Sequence, residues 1–136
     1  MSGLVPLWGG GGGGGAGGTQ AITLVASLVA SEAISALRVI KAFNGAIQVA
    51  DASVSVDAGK AIGISLNAVV AGGDLQYQYA GPLANTGWAW VEGPIFIGAG
   101  GQLTQSTVGL AFIQRVGTAL SNTEILIDLD DPIIGV

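Results

Sequence analysis

The sequence predicts an all-β fold: a small β-sandwich or barrel of short antiparallel strands, preceded by an extended glycine-rich N-terminal arm. Short apolar and β-branched segments alternate with turn residues about every 8 to 12 residues, which is typical of sandwiches and barrels. Glycine supplies 24 of the 136 residues, and aromatic residues only 6%. This composition favours turns and closely packed strands, because glycine weakens helices.

The chain divides into an arm of residues 1–18 and a β domain of residues 19–136. In the arm, an apolar segment precedes seven consecutive glycines, Gly9–Gly15. Glycine loses more backbone entropy on ordering than any other residue, so an ordered arm needs neighbours to hold it. The alternative is a flexible tail. The hydrophobic anchor of an ordered arm would be Leu4, Val5, Leu7 and Trp8.

Turn signals place the strands of the first half. Gln20–Ala26 is predicted as a strand, and Ser27–Ala36 as a loop or a single helical turn. Asn44-Gly45 lies between two apolar segments, Leu37–Phe43 and Ala46–Ala50. It is a strong hairpin signal, because a type I′ turn needs positive φ at both central positions.

The next two strands are Lys60–Leu66, after a turn at Asp57–Gly59, and Asp74–Ala80, after a glycine pair. In the first of them, Gly63 indicates a bulge or a close backbone approach. In the second, apolar or aromatic residues alternate with glutamines, which predicts a half-buried strand. The alternating residues are Leu75, Gln76, Tyr77, Gln78 and Tyr79.

Five further strands are predicted for the second half. They are Trp88–Val91, Pro94–Ile97, Gln102–Thr104, Phe112–Leu120 and Glu124–Leu129. Gly81-Pro82 is predicted to end the strand before them, and Gly117 to interrupt the longest of them. Asp130-Asp131-Pro132 ends the last strand, since proline cannot continue a ladder.

Charge and residue usage exclude several function classes. The net charge is −5, and the four basic residues, Arg38, Lys41, Lys60 and Arg115, are scattered along the chain. Because nucleic acids and anionic membranes are bound mainly through basic residues, neither is predicted as a partner. The chain has no histidine and no cysteine, which removes the usual general base, thiol nucleophiles and cysteine-based zinc sites. No enzyme activity and no cofactor is predicted.

Neither a targeting segment nor a transmembrane helix is predicted. Ala21–Ala30 is apolar but shorter than the roughly 20 residues that cross a bilayer. The glycine run interrupts the apolar N-terminal stretch, and no basic residue precedes it, unlike a signal peptide.

Other candidate sites are weak. A phosphate-binding loop at Gly9–Gly15 would need a following lysine, and none occurs before Lys41. Asp128, Asp130 and Asp131 could bind Ca²⁺ through their oxygens but are more typical of a solvated strand end. Glu92 and Glu124 could flank a glycosidase cleft, although so small a chain is an unusual host for one.

Two aromatic pairs are candidate contact residues. Tyr77 and Tyr79, like Trp88 and Trp90, are two positions apart, so each pair would share one face of a strand. Such a strip could stack on a sugar ring. The interpretation that we favour is a subunit interface, where tryptophan and tyrosine are enriched.

Two segments, SALRVIKAFNGAIQVADAS and AIGISLNAVVAGGDLQYQYAGPL, resemble a β module of tailed-bacteriophage structural proteins. GWAWVEGPIFIGAGGQLTQS and FIQRVGTALSNTEILIDLDDPI are similar to segments of capsid decoration (cement) proteins and of head-proximal fibre modules. The resemblance covers residues 20–134 and excludes the arm. It implies a virion structural protein without an active site, usually a homotrimer, placed where capsid or fibre subunits meet. Its partners would be the major capsid protein or other virion subunits. The alternatives are a fibre base or attachment subunit and a glycan-binding module.

Overall fold

A computed structural model of the chain describes residues 22–134. The arm of residues 1–18 and its anchor residues lie outside this range, so the interpretation of the arm stays a prediction. Within the range, the chain is nearly all β, with eleven strands and two single-turn 3₁₀ helices, Ser55–Asp57 and Ala99–Gly101. The prediction of an all-β fold is confirmed.

The strands are β1 (Leu24–Val29), β2 (Val39–Phe43), β3 (Ala46–Val49), β4 (Ala61–Ser65), β5 (Asp74–Ala84), β6 (Gly93–Ile97), β7 (Leu103–Thr104), β8 (Phe112–Ile113), β9 (Arg115–Ala119), β10 (Glu124–Ile127) and β11 (Ile133–Ile134). Nine of them form one antiparallel sheet in the order β3-β2-β4-β5-β10-β9-β6-β7, with β1 paired to β5. This sheet curls into a half-barrel. β8 and β11 form a separate antiparallel pair.

The predicted hairpin at Asn44-Gly45 is confirmed. Phe43 at the end of β2 pairs with Ala46 at the start of β3. The turn residues have φ values of 50° and 78°, which are the positive values that a type I′ turn requires.

The bulge and the close approach predicted at Gly63 are both present. Ile40 pairs with Gly63 whereas Lys41 pairs with Ala61, so β4 contributes one extra residue between them. A Cβ atom at residue 63 would lie 2.7 Å from the carbonyl oxygen of Gln78. Only glycine allows β4 and β5 to approach this closely.

The prediction of a loop or helical turn over Ser27–Ala36 is wrong in its first part, because β1 continues to Val29. Its pairing with β5 is regular from Val25 to Val29. Ladder pairing therefore outweighs the weak helical signal of this segment. Beyond Val29 the predicted irregular stretch is present, with an isolated bridge between Ile34 and Val69.

Gly81-Pro82 does not end the strand as predicted. β5 runs through both residues to Ala84, pairing Gly81 with Ile127 and Pro82 with Leu126. The side-chain amide of Gln78 donates a hydrogen bond of 2.8 Å to the Pro82 carbonyl. The carbonyl of Pro82 therefore has a hydrogen-bond donor, although Pro82 has no N–H of its own to donate to the ladder.

The alternation predicted along β5 reverses near its middle. Gln78 is only 3% exposed, whereas Tyr79 is 39% exposed. Val25 pairs with Gln78 and Leu24 with Ala80, which leaves Tyr79 as an extra residue in the ladder. Such an irregularity changes which face of the sheet the following side chains occupy.

In the second half, the predicted strands near β6, β7 and β10 are confirmed within two residues at each end. Trp88–Val91, however, lies outside the strands. The predicted strand Phe112–Leu120 is split at Gln114 rather than at Gly117. The ladder partner changes at this residue, because β8 pairs with β11 whereas β9 pairs with β6 and β10. Gln114 itself is buried, and its side-chain amide donates to the backbone carbonyl of Asp130 at 2.8 Å.

Two clusters of buried side chains form the core. The larger lies between the strands of both halves and contains Val39, Ala50, Ala52, Ile64, Ile95, Ile97, Phe112, Val116, Ala119, Ile125 and Ile127. The smaller contains Ala30, Ile34, Ile40, Ile47 and Leu75. No residue of β1 belongs to either cluster, so this strand is held mainly by its pairing with β5.

Candidate assembly surface

β1 is an edge strand within the part of the chain that the structure describes. Tyr77 and Gln78 of β5 pair with β1 and also with Ser65 and Ile64 of β4. β1 and β4 must therefore lie on opposite sides of β5. The other side of β1 pairs with no strand between residues 22 and 134. An edge of this kind presents a row of N–H and C=O groups that can accept another strand.

The apolar side chains of β1 and of the residue two positions before it are exposed on both faces of the sheet. An antiparallel strand usually buries one face, but here every large apolar side chain is between 37% and 72% exposed, and only the small Ala26 is half-buried. Contiguous exposed apolar patches are uncommon on soluble monomers and often mark interaction sites. We call this set the β1 surface: Ile22, Leu24, Val25, Leu28 and Val29.

The β1 surface lacks the usual protection of an edge strand. Edge strands commonly carry lysine, proline or inward-facing charges that prevent pairing with another chain. Residues 22–31 contain neither charge nor proline. The first charged residue, Glu32, accepts a hydrogen bond of 2.9 Å from the Val49 N–H. On the neighbouring strand, Asp74 lies opposite Val29, at the end of β1.

Both ends of β1 are fixed to the rest of the sheet. At its start, a Cβ atom on Gly81 would lie 2.2 Å from the Ile22 carbonyl oxygen, so the chain crosses directly over this glycine. At its end, the Ala30 N–H donates to the Gly73 carbonyl at 3.0 Å, and the Gly72 N–H donates to the Ala30 carbonyl at 2.8 Å. The β1 surface is thus presented on an anchored strand.

The structure brings the two predicted tyrosines together next to β1. The ring centroids of Tyr77 and Tyr79 are 5.9 Å apart, and the rings are tilted by 44°. Tyr77 is half-buried against the smaller core cluster, whereas Tyr79 is exposed. Because Tyr77 pairs opposite Ala26, these aromatic side chains extend the apolar area around the β1 surface.

The two predicted tryptophans are also neighbours, but they pack into the protein. Trp88 and Trp90 have ring centroids 5.7 Å apart and an interplanar angle of 50°. Both are half-buried against the larger core cluster. The Trp90 indole nitrogen is buried and has no hydrogen-bond partner among the described residues. Tilted, half-buried rings do not make the flat platform on which a sugar ring stacks.

A surface cavity of about 500 Å³ lies beside the 3₁₀ helix Ser55–Asp57, and Glu32, Lys41, Asp51 and Asp57 are among its lining residues. Lys41 Nζ lies 2.5 Å from one oxygen of Asp57, and both side chains are largely buried. The other Asp57 oxygen accepts the Asp51 N–H at 2.9 Å. The Asp57 carboxylate therefore links the Lys41 side chain to the backbone of Asp51. Among the described residues, no group of acidic side chains is arranged to hold a metal ion.

Asp51, at the rim of this cavity, gives stability a pH dependence. Burial raises the pKa of Asp51, but hydrogen bonds from the Ser53 side chain and backbone outweigh burial and hold the pKa below its ordinary value. Because the pKa is lower in the folded state, this carboxylate stabilises the fold at pH values above its unfolded pKa of about 3.9. The stabilisation is lost as the pH falls through the folded-state pKa. We expect the melting temperature to fall in this acidic window, and by less in Asp51→Asn. If the melting temperatures of wild type and Asp51→Asn fell equally steeply with pH below pH 4, this would be contradicted.

The aspartate cluster at the end of β10 is paired with an arginine. Arg115 lies 2.9 Å from Asp130 and 3.3 Å from Asp128. Its hydrogen bond to Asp130 raises the pKa of the Arg115 guanidinium. Two of the three candidate Ca²⁺ ligands are thereby used in exposed ion pairs, which favours the interpretation of a solvated strand end.

Comparison with known proteins finds no match: no family model, no curated protein and no solved structure is similar to the chain. No helix in the described range is long and apolar enough to cross a membrane. The fold and the site define a class, namely an all-β domain that presents an unprotected apolar edge strand.

Proposed function

We propose that the chain is a non-enzymatic structural protein that works by packing into a larger protein assembly. The observation that carries this proposal is the β1 surface, which is apolar on both faces and contains no charged residue. Each of its side chains would be more stable buried against a partner than exposed to water, since non-polar burial is the main favourable term in protein association. A neighbouring subunit that covers β1 would supply this burial.

The magnitudes indicate that further contacts are needed. Complete burial of a valine, leucine or isoleucine side chain contributes about 1.5–3 kcal/mol. Because the five side chains are about half exposed, covering them contributes on the order of 4–8 kcal/mol. Association itself costs about 4–15 kcal/mol. The interface must therefore extend beyond β1, and exposed Tyr79 is the adjacent candidate.

The assembly that we propose is the virion of a tailed bacteriophage, on the basis of the resemblance of residues 20–134 to structural proteins of these phages, among them capsid decoration proteins and head-proximal fibre modules. The chain would bridge neighbouring copies of the major capsid protein, as a homotrimer on the capsid surface. A protein that binds the assembled shell and not the free subunits stabilises the shell by mass action. The low charged fraction, 10%, fits a protein with covered faces.

A base or attachment subunit of a head or tail fibre is the second candidate, because the β1 surface would serve equally well there. A glycan-binding module is less well supported, since Trp88 and Trp90 pack against the core and not in an exposed row.

The test is quantitative mass spectrometry of purified phage particles from the source of the sequence. We expect the chain at a fixed ratio to the major capsid protein in isolated heads. Recovery with isolated tails would favour the fibre candidate over decoration. A chain found only in the cell lysate, and absent from washed particles, would overturn the virion proposal.

A further inference from the structure

We propose that Asn44 is a modification site: its side chain deamidates spontaneously to aspartate and isoaspartate at the tip of the β2–β3 hairpin. The proposal goes beyond the assembly function and does not depend on it. Deamidation requires that the backbone nitrogen of the next residue reach the side-chain carbonyl carbon of the asparagine. Glycine allows this approach best, because it has no Cβ atom and the widest range of backbone conformations. Asn44 is the only asparagine of the chain that glycine follows.

The reaction needs no reagent other than water. The backbone nitrogen of Gly45 loses its proton and attacks Cγ of Asn44. The bond from this nitrogen to Cγ forms, the bond from Cγ to Nδ2 breaks, and Nδ2 takes up a proton and leaves as ammonia. The product is a cyclic imide. Water opens the imide at Cγ to give aspartate, or at the backbone carbonyl carbon of residue 44 to give isoaspartate.

The structure leaves both reacting residues accessible. Asn44 and Gly45 are exposed, and a Cβ atom at residue 45 would have no neighbour within 4 Å. The ladder ends at the pair Phe43–Ala46, so the Gly45 N–H is not part of it. The turn must open briefly for the nitrogen to reach Cγ. Because β3 is the last strand in the sheet order, its hairpin is among the elements that open most readily.

The other asparagines are held more firmly. The Asn67 amide donates to the Asp74 carbonyl at 3.1 Å, and its Oδ1 accepts the Gln76 N–H at 2.9 Å. Oδ1 of Asn85 accepts the Gly87 N–H at 2.8 Å. No hydrogen bond of this kind holds the Asn44 side chain within the described range. The residues that follow the other asparagines all carry a Cβ atom: Ala68, Thr86 and Thr123.

Isoaspartate would loosen the hairpin, because it adds a methylene group to the backbone inside a tight turn. β3 would lose its register with β2, and Ile47, which is 7% exposed, belongs to the smaller core cluster. The Ile47 carbonyl also accepts the Ser31 N–H at 2.9 Å, and the Val49 N–H donates to Glu32 at 2.9 Å. The change would therefore reach the residues that directly follow β1.

The experiment is peptide mapping of the purified full-length protein after prolonged incubation in mildly alkaline buffer below its melting temperature. Trypsin cuts after Lys41 and Lys60, which isolates Asn44 in a peptide without another asparagine. Mass spectrometry measures the replacement of the amide by a carboxyl group in each peptide over time. Electron-transfer fragmentation distinguishes isoaspartate from aspartate.

We expect the Asn44 peptide to deamidate several-fold faster than the peptides that contain the other three asparagines, with isoaspartate among its products. Gly45→Ala should slow the reaction at Asn44 to the rate of the others. If this substitution weakens the hairpin, the comparison among the asparagines of wild type still decides. Equal rates at all four asparagines, or fast deamidation of Asn44 that Gly45→Ala leaves unchanged, would overturn the proposal.

Asn44→Asp is the matched control for the structural effect. It carries the same new charge as the products, but Asp-Gly also favours a type I′ turn. Amide hydrogen exchange in residues 46–49 should therefore be faster in incubated wild type than in Asn44→Asp. Equal exchange in the two proteins, at a measured content of isoaspartate, would show that the hairpin tolerates the modification and would overturn the predicted loosening.

Discussion

Replacing Asp57 with alanine is expected to destabilise the protein by about 3 kcal/mol, because removal of one partner leaves a buried charge uncompensated. The Asp57 side chain is 4% exposed and that of Lys41 13%. The substitution also removes the acceptor of the Asp51 N–H. Urea unfolding monitored by tryptophan fluorescence measures the loss.

Asp128→Ala is the matched control, since Asp128 pairs with Arg115 but is 67% exposed. Exposed pairs contribute about 0–1 kcal/mol, so this variant should remain close to wild type. Adding Lys41→Met to Asp57→Ala should restore part of the lost stability, because it removes the unpaired charge. Similar losses in the two single variants would show that the buried pair has no special role.

Gly81→Ala is expected to cost about 3 kcal/mol or more and to loosen β1. Gly81 has a φ of 94°, a region where other residues are strained by about 1–3 kcal/mol. A Cβ atom there would also lie 2.2 Å from the Ile22 carbonyl oxygen. Because that neighbour is backbone, the start of β1 would have to move. Faster amide hydrogen exchange in residues 24–29 should report the movement.

Gly109→Ala separates the two causes. Gly109 has a positive φ of 77°, but a Cβ atom there would have no neighbour within 4 Å, and the residue lies away from β1. It should therefore show the backbone strain alone, about 1–2 kcal/mol. If both variants lose the same stability, and β1 exchanges as in wild type, the chain does not depend on the crossing of Ile22 over Gly81.

The parts of the fold that the sequence predicts are those with local causes. The hairpin at Asn44-Gly45 follows from turn chemistry, because both residues accept positive φ. The bulge at Gly63 follows from a glycine placed inside an apolar strand. Both signals are contained in a few consecutive residues.

The errors arise where distant strands decide the outcome. β5 continues through Gly81-Pro82 because β10, more than 40 residues later, pairs with it. The predicted strand Phe112–Leu120 divides at Gln114 because its first residues pair with β11 and the later ones with β6 and β10. Neither partner can be recognised from the local pattern, since non-local contacts are not encoded in adjacent residues.

The candidate site was only partly predictable. Aromatic spacing predicts Tyr77 and Tyr79 as contact residues; the structure places them beside β1, and their role as contacts stays a prediction. The members of the β1 surface were not predicted as contact residues. One signal was available: in the stretch from Leu24 to Val29, apolar residues occupy both alternating sets of positions without any charge. That pattern is typical of strands buried on both faces, so it did not distinguish a central strand from an exposed edge.

The most direct test of the central claim, that the β1 surface is a subunit contact, is the solution mass of the full-length chain by light scattering. The test compares wild type with Val25→Lys/Val29→Lys, which places two charges on one face of β1. Val108→Lys, at a residue 88% exposed and remote from β1 in the strand order, is the control. We expect wild type and Val108→Lys to reach three times the chain mass of 13.4 kDa, and the β1 variant to stay near the mass of one chain. A wild-type mass of one chain at every concentration, or a trimer that the β1 substitutions leave intact, would contradict the claim.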